Sequence, residues 1–199
     1  MSSSYNIGVI ILAAGASSRL GEPKQLIKFD GKSLLQHAVD AATNSNANTV
    51  IEVLGANAEH VLAGTNKSNI HTIINPDWEE GMASSVRSGL NELLFICPEA
   101  DATILMVCDQ PFVSSSLLND LIKTHLSTGK PIVACDYGEA IGPPALFHRS
   151  LFDELMKLKG DVGARKIIQQ HNEQVTTVLF PKGKIDIDTN EDYEALKNS

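Results

Sequence analysis

Residues 7–12 and 102–108 form two short runs without a single charge, and both present apolar side chains to either face. A strand of that kind must be covered on both sides, as in the middle of a parallel sheet packed between helices. The runs 49–54, 70–74, 131–135 and 175–180 also read as strands. Amphipathic stretches at 33–42, 56–63, 84–96, 115–126, 150–158 and 162–170 alternate with them and read as helices. Ser33 and Ser84 are the expected N-caps of two of these, and Asp161 stands ahead of the last. Alternation along the whole chain predicts an α/β fold: a three-layer α/β/α sandwich with a mostly parallel, Rossmann-like sheet, in one domain spanning residues 1–199. Ligands of such sheets bind at the carboxyl ends of strands. The segments 13–25, 75–83 and 136–144, which read as loops, are therefore where chemistry is expected.

Charge narrows the partners. Sixteen basic against 24 acidic residues leave a net charge of −8, the opposite of the balance expected for a nucleic-acid-binding protein. A polyanionic ligand must then meet a local positive site. Cys97, Cys108 and Cys135 form no C-x-x-C pair, which argues against a disulfide framework or a cysteine zinc site and for a reducing, cytoplasmic setting. The apolar run 9–14 is too short to span a bilayer, and no signal-like segment precedes it, so no membrane association is expected.

The familiar signatures fail. Gly31-Lys32-Ser33 ends like a phosphate loop, but position 26, where its first glycine belongs, is leucine. No G-x-G-x-x-G follows the first strand, and neither H-E-x-x-H nor G-x-S-x-G occurs. The first strand instead runs into L-A-A-G-A-S-S-R-L-G-E-P-K, residues 12–24. Ala13, Ala14 and Gly15 are small enough for a ligand to lie on the backbone, whose N–H groups can form an anion nest. Arg19 and Lys24 add two cations, so the loop suits a triphosphate; the alternative is an ordinary βα turn with solvated basic residues.

The second apolar strand ends in V-C-D-Q-P, residues 107–111. A carboxylate at that edge, Asp109, is placed for Mg²⁺, which takes one or two protein carboxylates and leaves room for phosphate oxygens. The alternative role, capping the next helix, suits Ser114 better. In I-D-I-D-T-N-E-D-Y, residues 185–193, Asp186 and Asp188 share one face of an extended segment, while Thr189 caps the last helix. N-P-D-W-E-E-G-M-A-S-S-V-R-S-G-L, residues 75–90, brings Gly81, Ser84 and Ser85 to a helix start that can hold an anion or a base edge, or simply cap. G-D-V-G-A-R, residues 160–165, repeats that pattern with Gly163 and Arg165. The six histidines show no i, i+4 pairing and read as structural.

Together these strings resemble the nucleotidyltransferases that mature the molybdenum–pterin cofactor, within the nucleotide-diphosphosugar-transferase-like fold. The resemblance covers nearly the whole chain. G-M-A-S-S-V-R-S-G-L, D-Q-P and G-D-V-G-A-R look like the cytidylyltransferase branch. Guanylyl-transferring relatives carry L-A-G-G where this chain has Leu12-Ala13-Ala14-Gly15, and P-C-D-x-P where it has Val107-Cys108-Asp109-Gln110-Pro111. The chain departs from the family at Pro143, after Gly142, where His or Asn is usual, and at Asn190, where proline is common. The resemblance implies Mg²⁺-dependent transfer of CMP from CTP to the cofactor's phosphate, with release of pyrophosphate. GTP in place of CTP, a CDP-alcohol or sugar-nucleotide product, and a non-catalytic cofactor carrier are the alternatives. It further implies that Leu12, Ala13, Ala14, Gly15, Gly81 and Ser85 bind nucleotide, and that Arg19, Lys24 and Asp109 act on the triphosphate. Asp109 with Asp188 would hold the metal, Asp186 being the substitute. Gly142, Gly163 and Arg165 would face the molybdopterin-type acceptor, and a molybdenum enzyme would receive the product.

Overall fold

The computed structural model describes residues 5–17, 20–64, 70–187 and 189–197. Its centre is β1 (Ile7–Ala13), paired in parallel on one side with β4 (Thr49–Leu54) and on the other with β6 (Ala102–Val107). β5 (His71–Ile74) extends the parallel set beyond β4. Beyond β6 come β8 (Ile141–His148), β7 (Ile132–Asp136) and β9 (Val175–Leu179), so the seven-stranded order is β5-β4-β1-β6-β8-β7-β9. Among the described residues of this sheet, β8 alone runs antiparallel to its neighbours. A two-residue-per-strand hairpin, β2 (Lys28–Phe29) and β3 (Lys32–Ser33), stands apart.

The helices are α1 (Leu34–Thr43), α2 (Ala58–Gly64), α3 (Met82–Ile96), α4 (Ser115–Thr128), α5 (Phe152–Leu155), α6 (Arg165–Gln170) and α7 (Asn190–Lys197). The strands' two-residue period sorts the core into two layers. Val9, Ile11, Ile104 and Met106 pack with Leu35, Val39, Leu118 and Leu121 of α1 and α4. Ile10, Ile51, Val53 and Leu105 pack with Leu90, Leu93 and Ile168 of α3 and α6 on the opposite face. Each such fully buried aliphatic side chain stabilises the fold by about 1.5–3 kcal/mol. The three-layer sandwich follows from a sheet whose central strands are apolar on both faces.

Local signals explain several boundaries. Ser33 caps α1, its Oγ accepting from the Gln36 N–H, and Ser114 does the same for α4 through Leu117. Thr189 caps α7: Asp192 N–H donates to its Oγ1, while Thr189 N–H donates to Asp192 Oδ2. Other expectations need correction. Helix α3 begins at Met82 with Gly81 as its cap, so Ser84 lies inside the first turn, its hydroxyl donating to Gly81 C=O. The stretch 150–158 forms only a 3-10 turn, Arg149–Leu151, and the short α5, and the stretch 162–170 is helical only from Arg165.

The largest departure is β8, which occupies much of the expected 136–144 loop. Pro143 and Pro144 are unusual residues for a strand, since proline cannot donate to a ladder. The register resolves this: Ala134 pairs with Ala145 but Cys135 pairs with Gly142, so both prolines bulge out of the β7 ladder. They also lie outside the β6 pairing, which covers only Ala145–His148. Neither neighbour needs their missing N–H groups.

Candidate active site

Leu12 and Val107 are directly paired across β1 and β6, so the chain leaves both strands at the same point on the carboxyl edge. The turn after β1 is shaped from below by Gln25, a fully buried side chain. Its Nε2 donates to Ala13 C=O at 2.7 Å and to Gly15 C=O at 3.1 Å. Gln25 sits in a 3-10 turn, Lys24–Leu26, led in by Pro23. The same turn sends Lys24 across to β6, where its Nζ meets Asp109 Oδ2 at 2.6 Å. The other carboxylate oxygen, Asp109 Oδ1, is buried with no hydrogen-bond partner. The backbone of Asp109 is held as well: its C=O accepts from the Ile187 N–H at 3.1 Å, which draws the acidic segment near the C-terminus to the site. Ile187 is buried while Asp186 is exposed, as their alternation requires.

The opposite wall comes from residues 75–90. Asn75 is buried, and its Nδ2 donates to Ser84 Oγ at 2.8 Å and Ser85 Oγ at 3.1 Å. Its Oδ1 accepts from the Asp77 N–H, closing a turn that presents Trp78 at the head of a 3-10 turn, Trp78–Glu80. Gly81 follows with φ +114°, a conformation side chains resist, and a Cβ there would stand 2.7 Å from the backbone of Gly160 and Asp161. The two glycine-bearing segments, 75–83 and 160–165, thus touch. Arg87 fastens them: its guanidinium holds both Glu80 oxygens, at 2.6 and 3.0 Å, and Leu158 C=O at 2.6 Å.

Two cavities open between these walls. One of about 420 Å³ is lined by Ala13, Ala14, Gly15, Trp78, Gly81 and Ser85, among others. One of about 790 Å³ is lined by Gln110, Tyr137, Gly163, Arg165, Lys166 and Asp186, among others. They share Leu12, Lys24, Met82, Val107, Asp109 and Asp161. The residues expected at the nucleotide, Leu12, Ala13, Ala14, Gly15, Lys24, Gly81, Ser85 and Asp109, therefore come together at the first cavity. Gly163 and Arg165 lie in the second. Gly142 lines neither; it lies under Tyr137 and Arg165, whose Oη and Nη2 would be 2.9 and 3.3 Å from a Cβ at that position. Arg19 and Asp188 lie outside the described residues.

Burial pushes the Cys108 thiol and the Tyr137 phenol each up to about 12, so both are protonated at neutral pH and neither supplies a nucleophile. Among the described residues no group of three or more His, Cys, Asp or Glu side chains could hold a metal ion. His125 is buried in the fold, bonded to Tyr5 Oη and Lys130 C=O. Among the described residues no helix is long and apolar enough to cross a membrane.

Four contributors escaped the sequence reading: Gln25, Asn75, Gln110 and Tyr137. A side-chain amide at the foot of a strand-following loop is a usable signal for the first two, because amides commonly hold turn backbone. Tyr137 gave none, since its partners come from distant parts of the chain.

The mostly parallel seven-stranded sheet between helices has the nucleotidyltransferase fold of the nucleotide-diphosphosugar-transferase type, as its likeness to solved structures shows. The chain belongs to the MobA-like NTP transferase domain family, whose profile matches residues 9–175. Purine catabolism protein PucB of Bacillus subtilis (strain 168) is 29% identical over 212 residues, covering 100% of this chain and 99% of the relative. Nicotine blue oxidoreductase of Paenarthrobacter nicotinovorans is 30% identical over 170 residues, 81% of this chain and 80% of the relative. The crystal structure of Rv0371c from Mycobacterium tuberculosis H37Rv superposes with a TM-score of 0.87 at 31% identity, covering 99% of this chain and 100% of that one. The same protein has a structure in complex with manganese, which matches with a TM-score of 0.82 at 29% identity over 98% and 99% of the two chains.

Proposed function

We propose that residues 1–199 act as one cytoplasmic nucleotidyltransferase domain that moves CMP from CTP to the phosphate of a molybdenum–pterin cofactor and releases pyrophosphate. One observation carries the transfer reading: two cavities meet at a single Lys24–Asp109 pair. A reaction between two bound polyanions needs two sites sharing one charged junction, whereas a carrier of finished product needs one site.

The triphosphate lies in the first cavity against the backbone of residues 13–16, with Lys24, and Arg19 by sequence, offsetting charge on the departing pyrophosphate. The acceptor lies in the second cavity with its phosphate towards the junction and Arg165 on its far side. Its phosphate oxygen attacks the α-phosphorus in line, the bond to pyrophosphate breaks, and CMP is joined to the acceptor. A phosphate nucleophile is already ionised at neutral pH, so no side chain has to remove a proton. Catalysis then rests on alignment and preorganised charge.

The residues present fit a divalent cation. Asp109 Oδ1 is a buried carboxylate oxygen lacking a partner, the type of hard donor Mg²⁺ takes. Asp109 would hold the ion together with Asp188, or with Asp186 in its place, and the manganese complex of Rv0371c supports a divalent metal in a relative. Bound there, such an ion supplies charge neutralisation on phosphate oxygens.

Comparison within the family supports CTP, since Ala14 stands where guanylyl-transferring relatives have glycine. The test is pyrophosphate release with Mg²⁺ and molybdenum-loaded pterin cofactor, comparing CTP, GTP, ATP and UTP. Release with CTP well above the other three is expected. Release with GTP alone makes the chain the guanylyl version. Silence with all four, CTP still bound, rejects this acceptor.

A further inference from the structure

Gln110 is 8% exposed and lines the second cavity but not the first. Its hydrogen bonds fix the orientation of its amide. Nε2 donates to Gly183 C=O at 2.7 Å and to Tyr137 Oη at 3.2 Å. A carbonyl can only accept, so the nitrogen must face Gly183. Tyr137 spends its own proton on Pro143 C=O, so its oxygen accepts from Gln110. Gly183 leaves room for this arrangement, because a Cβ there would enter the Tyr137 ring. Both amide protons are committed, and Oε1 remains buried with no partner.

A buried acceptor without a donor costs about 1–3 kcal/mol, and native folds keep few of them. Asp109 Oδ1, one residue away, is the other such atom at the junction. Arg165 approaches the same tyrosine: a Cβ at Gly142 would lie 3.3 Å from its Nη2 and 2.9 Å from Tyr137 Oη. The second cavity therefore holds, beside the junction that receives the phosphate, a lone, rigidly held acceptor suited to an N–H group.

Resting on the transfer reading above, we propose that Gln110 determines acceptor specificity: Oε1 accepts a hydrogen bond from a ring N–H or amino group of a phosphorylated heterocycle bound in the second cavity. Acceptors lacking such a donor leave Oε1 unsatisfied and bind less well. The cytidine nucleotide, seated in the first cavity, does not use it.

The experiment measures equilibrium binding of molybdenum-loaded pterin cofactor and, separately, of CTP to wild type, Gln110→Leu and Gln110→Glu, with thermal midpoints recorded for each. Glu removes both donated bonds yet keeps an acceptor oxygen; Leu removes everything. Gln110→Leu should weaken pterin binding about tenfold or more while CTP binding stays within about twofold, and Gln110→Glu should retain most pterin binding. Equal losses in both variants would mean that Gln110 only supports Gly183 and Tyr137, overturning the proposal. Unchanged pterin binding in Gln110→Leu overturns it too, as does a wild type that binds ribitol phosphate as tightly as the pterin. If Gln110→Leu does not fold, Gln110→Glu against wild type still decides: loss of pterin binding with CTP binding intact overturns the proposal. Pterin binding that depends on Gln110, without pyrophosphate release from any nucleotide, sinks the transfer reading and leaves this one standing.

Discussion

Lys24 Nζ and Asp109 Oδ2 lie 2.6 Å apart although 85 positions separate the two residues in sequence. Each side chain is about one-sixth exposed, at 17% and 15%, so the pair faces the junction of the two cavities without being sealed from it. Lys24→Ala or Asp109→Ala should lower turnover by about 10²–10³, the usual loss on removing one preorganised charge-stabilising group. The double variant should lose little more than either single one, because partners in one pair do not act independently. Steady-state pyrophosphate release measures all three; near wild-type turnover in both single variants would overturn the assignment.

Chelation gives a second check. Treatment with EDTA should abolish pyrophosphate release, and added Mg²⁺ or Mn²⁺ should restore it in wild type but not in Asp109→Ala. Activity that survives exhaustive chelation would remove the metal from the proposal.

Gly15 and Gly81 both border the first cavity but for different reasons. A Cβ at Gly15 meets nothing within 4 Å, whereas one at Gly81 meets backbone at 2.7 Å. Gly15→Ala should therefore leave stability within about 0.5 kcal/mol of wild type while raising the KM for nucleotide. Gly81→Ala should destabilise by about 2 kcal/mol or more, since strain and a backbone clash combine. Chemical denaturation beside nucleotide titration separates the two outcomes.

Gln25→Leu leaves two loop carbonyls without their donor. Unfolding free energy should fall by about 1–3 kcal/mol, and the KM for nucleotide should rise as the turn after β1 relaxes. A variant that loses stability with an unchanged KM would show that the loop keeps its shape without the amide.

The Arg87 guanidinium bonded to Glu80, with the Gly160 N–H beside it, holds the Glu80 carboxyl below its ordinary value of 4.5. A lowered carboxyl contributes stability above the ordinary value and loses it as pH falls through the lowered one. The thermal midpoint of wild type should thus exceed that of Glu80→Gln near neutral pH, and the gap should close as the medium is acidified below about 4.5. A gap that persists in acid would mean the latch between residues 75–83 and 160–165 does not rest on the ion pair.

Much was legible from the sequence because its causes are local. Uncharged strands with small residues after them announce a covered sheet and a ligand edge, and Ser33, Ser114 and Thr189 mark helix starts by bonds within three residues. The sheet period alone sorts Val9 and Ile10 into opposite layers. Tertiary structure decided the rest. β8 was hidden because its prolines are tolerated only through a register step against β7, which no local pattern encodes. Two separate glycine motifs proved to be neighbours because Gly81 lacks the atom that would hold Gly160 and Asp161 away. Gln110 looked like one letter of a strand-end string; its isolated oxygen exists only because Gly183, Tyr137 and Pro143, all distant in sequence, take up the other bonds. Periodicity and capping act over a few residues and can be read directly, whereas a hydrogen-bond network depends on which segments the folded sheet brings within 3 Å of one another.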